Sequence, residues 1–320
     1  MGDDSPPHPR PVLDRRAMAL SAGIDKTQGC AVRDAVRAVR ETLAVTTPYD
    51  ADWVLAFLGA RALPGVERVE GSTWMRATLV RGEPAVLRVH ARRRGLEVES
   101  PVPLDAPTLL RLERLFDTRT DVAQVRAALL RDARLRRPME LRPGLRVPGA
   151  WEPFETAVRA IIGQQISVAA AVTVARRLVE AFGTPWPVLP GGPWRGFPSP
   201  EVLASAPLEE VQGLRLRAPV VRALARAVCS GVLRLDGSWP LDRVELALRS
   251  IRGIGPWTAS IVALRALGDP DALPAADLGL RRALGRGRRL ASPRQVERRA
   301  ERWRPFRGYA TLWLWSEGVT

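Results

Sequence analysis

The hydrophobic positions of this chain change period twice. Trp53, Val54, Phe57 and Leu58 recur at helical spacing until Pro64-Gly65 closes the run. The period then shortens to two. Thr73–Val80 ends in the turn Arg81-Gly82-Glu83-Pro84, residues 85–91 set Leu87 and Val89 against Arg88 and His90, and 96–99 follow another turn. This predicts an antiparallel meander, joined by helices over Ala106–Phe116 and 121–132. From Pro153 the period is helical nearly to the end. Helices are predicted over 154–163, Val168–Phe182, 208–211, 219–231, Leu241–Ser250, 257–267 and 278–284. Residues 33–43 could form a further helix. The proline-rich stretch 137–148 reads as a linker. The expected organisation is an extension over 1–41, expected to be flexible, an α+β domain over 42–148 and an all-α domain over 149–320. The fold class is α+β. Residues 183–200 hold six prolines and four glycines. They are too long for an ordinary helix connection and predict a surface loop, a lid or an insertion.

Composition narrows the classes. A length of 320 residues suits about two domains. No apolar run reaches the roughly 18 residues of a membrane span, and Met1 to Arg16 has no apolar stretch of the secretory kind. Cys30 and Cys229 are too few for a Cys₄ zinc or iron–sulfur site and suggest no disulfide framework, so a cytoplasmic location is expected. The formal net charge of +15 favours a polyanionic partner, chiefly nucleic acid, although an arginine-biased genome gives the same balance. Lys26 is the one lysine of the chain, so Schiff-base chemistry has almost no residue to use.

Two segments could carry chemistry. In Leu246-Ala247-Leu248-Arg249-Ser250-Ile251-Arg252-Gly253-Ile254-Gly255-Pro256-Trp257-Thr258-Ala259, a glycine-punctuated turn separates two helical runs. Gly253 and Gly255 permit a tight turn with positive φ. Backbone N–H groups near Gly253, Gly255 and Thr258 then meet at a helix start, which favours an anion such as a DNA phosphate. An ordinary helix–helix turn is the plainer alternative. Downstream, Asp277 precedes Leu278-Gly279-Leu280-Arg281-Arg282. It reads as an N-cap, as a catalytic carboxylate, or as both, because a cap fixes the carboxylate in place. Arg281, Arg282, Arg286, Arg288 and Arg289 form a basic cluster that could touch phosphates or simply be solvated.

From Pro48 to the C-terminus the chain resembles the DNA-3-methyladenine glycosylase II (AlkA-type) branch of the helix-hairpin-helix DNA glycosylases. The resemblance rests on Thr47-Pro48-Tyr49-Asp50, Phe57-Leu58-Gly59-Ala60-Arg61-Ala62, Arg142-Pro143-Gly144-Leu145-Arg146-Val147-Pro148-Gly149 and Val158-Arg159-Ala160-Ile161-Ile162-Gly163-Gln164-Gln165. The hairpin, the Asp277 segment and the tryptophan-rich C-terminus complete it. It implies an α+β domain with an antiparallel sheet followed by a helix-hairpin-helix glycosylase domain. The implied activity is monofunctional: N-alkylated purines of the 3-methyladenine and 7-methylguanine type are flipped from duplex DNA and released by hydrolysis. Asp277 would be the catalytic carboxylate, Trp257 and Trp315 would line the base pocket, and Gln165 would be the wedge that fills the gap in the duplex. Core packing for the tryptophans and a polar surface turn for Gln165 are the plain alternatives. The resemblance also implies a monovalent cation, sodium or potassium, on the backbone of Arg249, Ile251 and Ile254, and no required cofactor. The expected partner is double-stranded DNA with alkylated bases. The expected protein is a bacterial monomer, cytoplasmic and nucleoid-associated, with no membrane contact. Ile261, Leu278 and Ser316 stand where the best-known members carry aromatics. A glycosylase–lyase of the same superfamily would place a lysine where Trp257 stands. An inactive DNA-binding protein and a glycosylase for other damaged bases are the remaining alternatives.

Overall fold

The computed structural model describes residues 38–92 and 95–317. In chain order the first half is β1 (Val39–Leu43), α1 (Ala51–Gly59), β2 (Glu67–Glu70), β3 (Thr73–Val80), β4 (Glu83–Arg92), β5 (Gly95–Ser100), α2 (Ala106–Phe116), α3 (Val122–Leu129) and α4 (Ala133–Leu141). The second half is α5 (Pro153–Ile162), α6 (Val168–Phe182), α7 (Pro200–Ser205), α8 (Ala218–Cys229), α9 (Leu241–Ser250), α10 (Pro256–Arg265), α11 (Leu278–Ala283), α12 (Pro293–Ala300) and α13 (Arg307–Ser316). The fold is α+β: one antiparallel sheet of order β1-β5-β4-β3-β2, followed by helices.

Two sequence expectations change, and a third gains a position. Of the helix considered over 33–43, residues 33–37 lie outside the described residues, as does most of the extension expected over 1–41. The remainder is β1, paired with β5 so that Leu43 faces Leu96. Ladder pairing with a distant strand outweighs a weak local helix preference. Second, 137–148 is no exposed linker. Its start completes α4 despite Pro138, and residues 144–149 run buried. Arg146 makes that burial tolerable: it donates to the carbonyls of Thr120 at 2.5 Å, Pro48 at 2.8 Å and Thr46, so loop carbonyls far from water are satisfied. The stretch 183–200 is a surface loop, as expected, and it lies on the sheet. Trp194, with Trp186 and Leu189, packs on Met75, Ala77 and Val86, and the Arg68 guanidinium stacks 4.7 Å from the Trp194 ring.

Two cores result, and they do not divide the chain at residue 148. One joins the sheet and α1 to α4 with α11, α12 and α13, including Trp74, Phe116, Trp303 and Trp313. The other is built from α5 to α10, around Ile161, Leu178, Leu224 and Val262. The chain therefore leaves the first core, builds the second and returns. That return sets the N-terminus of α11 opposite the N-terminus of α10.

Candidate active site

Between the two cores lies a cavity of about 370 Å³. Its wall includes Phe57 and Leu58 of α1, Thr156 and Arg159 of α5, Trp257 and Ile261 of α10, Asp277, Gly279 and Trp315.

Asp277 is the N-cap of α11. Its Oδ1 accepts from the Leu280 backbone N–H at 2.9 Å, which fixes the carboxylate against the helix start. Two tryptophans then close on it from different helices. Trp315 Nε1 of α13 donates to Oδ1 at 2.9 Å, and Trp257 Nε1 of α10 donates to Oδ2 at 3.2 Å. Hydrogen bonds to an ionised acceptor are the stronger kind and leave the carboxylate one orientation. Sequence reasoning placed both tryptophans by their ring faces and missed their N–H groups. It also missed Gly279: a Cβ there would lie 3.2 Å from both Asp277 Oδ1 and Trp315 Cδ1. Of Ile261, Leu278 and Ser316, only Ile261 lines the cavity. Leu278 is exposed, and Ser316 is buried with its hydroxyl donating to the Trp313 carbonyl.

The hairpin connects α9 to α10. Gly253 has φ 99° and a Cβ there would strike Val220 at 2.5 Å, so the fold itself demands glycine. Gly255 is different and corrects the sequence reading. Its φ is −92°, which any residue adopts, and a Cβ would meet no atom within 4 Å. Nothing among the described residues asks for glycine at that position. The α10 start has no side-chain cap, with Pro256 in its first turn, so its first N–H groups face outward. Thr258 is buried and its Oγ1 accepts from Gln164 Nε2 at 2.9 Å, which leaves its backbone N–H as the group at the helix start. Arg249, Ile251 and Ile254 sit at the other end of the turn, where the Ile251 carbonyl accepts from Ile254 N–H at 2.9 Å. Among the described residues, no three His, Cys, Asp or Glu side chains are grouped to hold a metal ion.

Gln165 lies in the turn between α5 and α6. It is exposed and has φ 60°, a conformation uncommon for a side-chain-bearing residue. Its neighbour Gln164 holds the turn in place. Gln164 Nε2 reaches the Gly253 carbonyl at 3.0 Å as well as Thr258, and Arg217 donates to the Gln164 carbonyl. The turn that carries Gln164 and Gln165 and the hairpin are thereby one bonded unit. In the basic cluster, Arg282, Arg286, Arg288 and Arg289 are exposed, whereas Arg281 donates Nε to the Ala291 carbonyl at 2.8 Å.

The cavity floor is ionic, which the sequence did not reveal. Arg76 of β3 pairs with Glu155 of α5 and Glu67 of β2, and Arg159 donates to Glu67 at 3.1 Å and Glu155 at 2.9 Å. Burial alone would raise the Glu155 carboxyl, but Arg76 and Arg159 hold it below the ordinary glutamate range. Two more guanidiniums have no carboxylate partner within bonding distance among the described residues. Arg265 donates to the carbonyls of Pro148 at 2.7 Å and Gly149 at 2.8 Å, and burial with the charges of Arg61 and Arg159 pushes it down to about 9. Arg61 lies 3.7 Å over the Phe57 ring and donates to the Phe57 carbonyl at 3.2 Å. Burial and Arg159 push it down to about 10 while Asp277 pulls the other way. Both remain protonated at neutral pH.

Comparison with known proteins fits this arrangement. Residues 40–152 match the model of the AlkA N-terminal domain, and residues 158–305 match that of the HhH-GPD superfamily base excision DNA repair protein. The chain is 35% identical to DNA-3-methyladenine glycosylase 2 of Escherichia coli, over 87% of this chain and 97% of that one. It is also 35% identical to the probable bifunctional transcriptional activator/DNA repair enzyme AlkA of Mycobacterium tuberculosis, over 86% of this chain but 56% of the relative, so it spans about half of that longer protein. The solved 3-methyladenine DNA-glycosylase from Archaeoglobus fulgidus superposes with a TM-score of 0.73 at 25% identity, covering 87% of this chain and 97% of that one. The chain belongs to the AlkA-type branch of the helix-hairpin-helix (HhH-GPD) superfamily of base excision DNA repair proteins.

Proposed function

We propose that this protein is a monofunctional DNA glycosylase that flips N-alkylated purines, of the 3-methyladenine and 7-methylguanine type, out of duplex DNA and hydrolyses their N-glycosidic bond. The observation that carries this reading is the Asp277 carboxylate, held by two indole N–H groups and a backbone N–H at the wall of a base-sized cavity. As the bond to the base breaks, positive charge grows on the sugar. A fixed anion aimed at that charge lowers the barrier without having to reorganise. A cationic alkylated purine already leaves well, so the site needs no strong acid. Water is the nucleophile, because position 257 holds an indole where a lyase needs an amine.

The hairpin supplies the grip. At Gly255 the fold leaves open space that a side chain would fill, which suits close approach of a DNA phosphate to the α10 start. Gln165, exposed on a strained turn that Gln164 bonds to the hairpin, is the wedge. A sodium or potassium ion on the carbonyls of Arg249, Ile251 and Ile254 would sit at the C-terminal end of α9, where the helix dipole favours a cation. Its part would be to stiffen the turn. The protein acts as a monomer on double-stranded DNA and needs no other cofactor. Among the described residues no helix is long and apolar enough to cross a membrane.

The direct experiment incubates the protein with methylated duplex DNA and identifies the released bases. Release of free methylpurines without strand cleavage is the expected result. DNA binding without base release would favour an inactive binding protein, and strand cleavage with a trapped covalent adduct would overturn the monofunctional reading.

A further inference from the structure

The turn between α5 and α6 and the hairpin between α9 and α10 are distant in the chain and meet at one side chain. Gln164 is half-buried, and its neighbour Gln165 is exposed with φ 60°. The amide nitrogen of Gln164 has two hydrogens, and both are used. One goes to the Gly253 carbonyl at 3.0 Å and the other to Thr258 Oγ1 at 2.9 Å. The Gly253 carbonyl can only accept, so the amide nitrogen has to face it and the side chain has one orientation. The main-chain carbonyl of Gln164 is held in turn by Arg217, which caps α8. Each contact leads further. Thr258 is buried in the first turn of α10, one residue after Trp257, whose Nε1 donates to Asp277 Oδ2 at 3.2 Å. On the other side of Gln165, Ile166, Ser167 and Val168 line the cavity.

We infer that Gln164 is a positioning residue that couples the wedge to the hairpin grip, so that Gln165 enters the duplex together with the seating of the hairpin on the backbone. This rests on the reading of the wedge and the grip given above. A side-chain-bearing residue keeps a left-handed backbone only where its surroundings over-determine it, and the three bonds on Gln164 fix the residue just before Gln165. Extruding a nucleotide costs the stacking of its base, whereas a phosphate contact costs no stacking. Two elements that move independently cannot exchange those free energies. Joined by one amide they shift together, and the favourable contact supports the costly one. The same amide reaches Thr258, so the start of α10, which carries Trp257 toward Asp277, belongs to the coupled unit. Each hydrogen bond is modest by itself, so loss of the amide weakens the coupling without abolishing either element.

The test uses a duplex with one abasic-site analogue beside a 2-aminopurine, whose fluorescence rises when its stacking is broken. Affinity and fluorescence at saturation are measured for wild type, Gln165→Ala, Gly255→Leu and the double variant, then for the same set carrying Gln164→Met. With Gln164 present, the double variant should bind more tightly than the product of the two single losses predicts, by about fivefold or more, the low end of ordinary coupling between two sites. With Q164M the losses should multiply to within about twofold. Q164M alone should lower the fluorescence of the saturated complex and leave the salt dependence of binding unchanged. A purely structural role for Gln164 would lower the melting temperature and leave the coupling in place. Losses that already multiply in the presence of Gln164 overturn the inference, as does coupling that persists in Q164M. If Q164M does not fold, Thr258→Val removes one acceptor and keeps the bond to Gly253. It should reduce the coupling by about half or more, and full coupling in T258V overturns the inference. Coupling in a wild type that releases no methylpurine from methylated DNA refutes the glycosylase reading and leaves the role of Gln164 standing.

Discussion

The wall and the floor of the cavity treat carboxylates in opposite ways. On the floor, Glu155 and Glu67 are buried and paired with Arg76 and Arg159. On the wall, Asp277 is held by Trp257 and Trp315, which orient it without bringing a counter-charge. The physical difference is neutralisation. A guanidinium at bonding distance cancels an anion's field, whereas a neutral N–H fixes its position and leaves its charge available. The floor ties the β2–β3 edge of the sheet to α5. The wall presents a charge to whatever enters.

Breaking each side separately gives different losses. Asp277→Asn should have the largest effect: base release from alkylated DNA falls by about 10³-fold or more, while DNA binding survives. Full activity in that variant would sink the mechanism. On the floor, Glu155→Gln leaves buried guanidiniums undercompensated and should cost about 3–5 kcal/mol of stability in chemical denaturation. If it unfolds no more easily than wild type, the floor is not a structural clamp. Trp315→Phe keeps the ring and removes one N–H to Asp277. The chemical step should slow by a factor corresponding to about 1.5–3 kcal/mol, with folding little changed. An unaltered single-turnover rate would mean that the indole serves only as packing.

Two smaller effects sharpen the contrast. Gly255→Leu places a side chain where the fold has open space, so stability should hold while DNA affinity falls. The slope of log affinity against log salt should drop by about 1, the share of one phosphate contact. An unchanged slope would count against the hairpin as a grip. Glu155 has its carboxyl held below the ordinary glutamate range, so its contribution to stability is present above the unfolded value and is lost as pH falls through the folded one. The melting temperature of wild type should therefore decline in acid more steeply than that of E155Q. Parallel curves would show that another carboxylate governs the acid limb.

How much was legible depended on how local each signal is. Strands β3, β4 and β5 were readable because alternation and turn residues lie within a few positions of each other. Strand β1 was misread because its partner is more than 50 residues away. Pro138 and its neighbours have the composition of a linker, yet Arg146, reaching carbonyls on two other segments, allows the chain after them to be buried. Asp277 could be named from its own segment and Trp257 and Trp315 from the resemblance, but their hydrogen bonds join α10, α11 and α13. Gln164, Gly279 and Arg61 had no local signal that set them apart. Each matters through a partner distant in sequence, or through one reached only after the chain returns to the first core.

The sequence by itself determined the α+β order of elements, the glycine-punctuated hairpin, the carboxylate at a helix start and the near absence of lysine. These follow from residue type and short spacing, which act before the chain is packed. Only the tertiary structure decided that two indoles would orient Asp277 through their N–H groups, that Gly255 borders open space, and that the cavity rests on paired and unpaired guanidiniums. Those outcomes depend on which distant groups share a low-dielectric interior, where an unspent donor or an uncancelled charge counts for far more than in water.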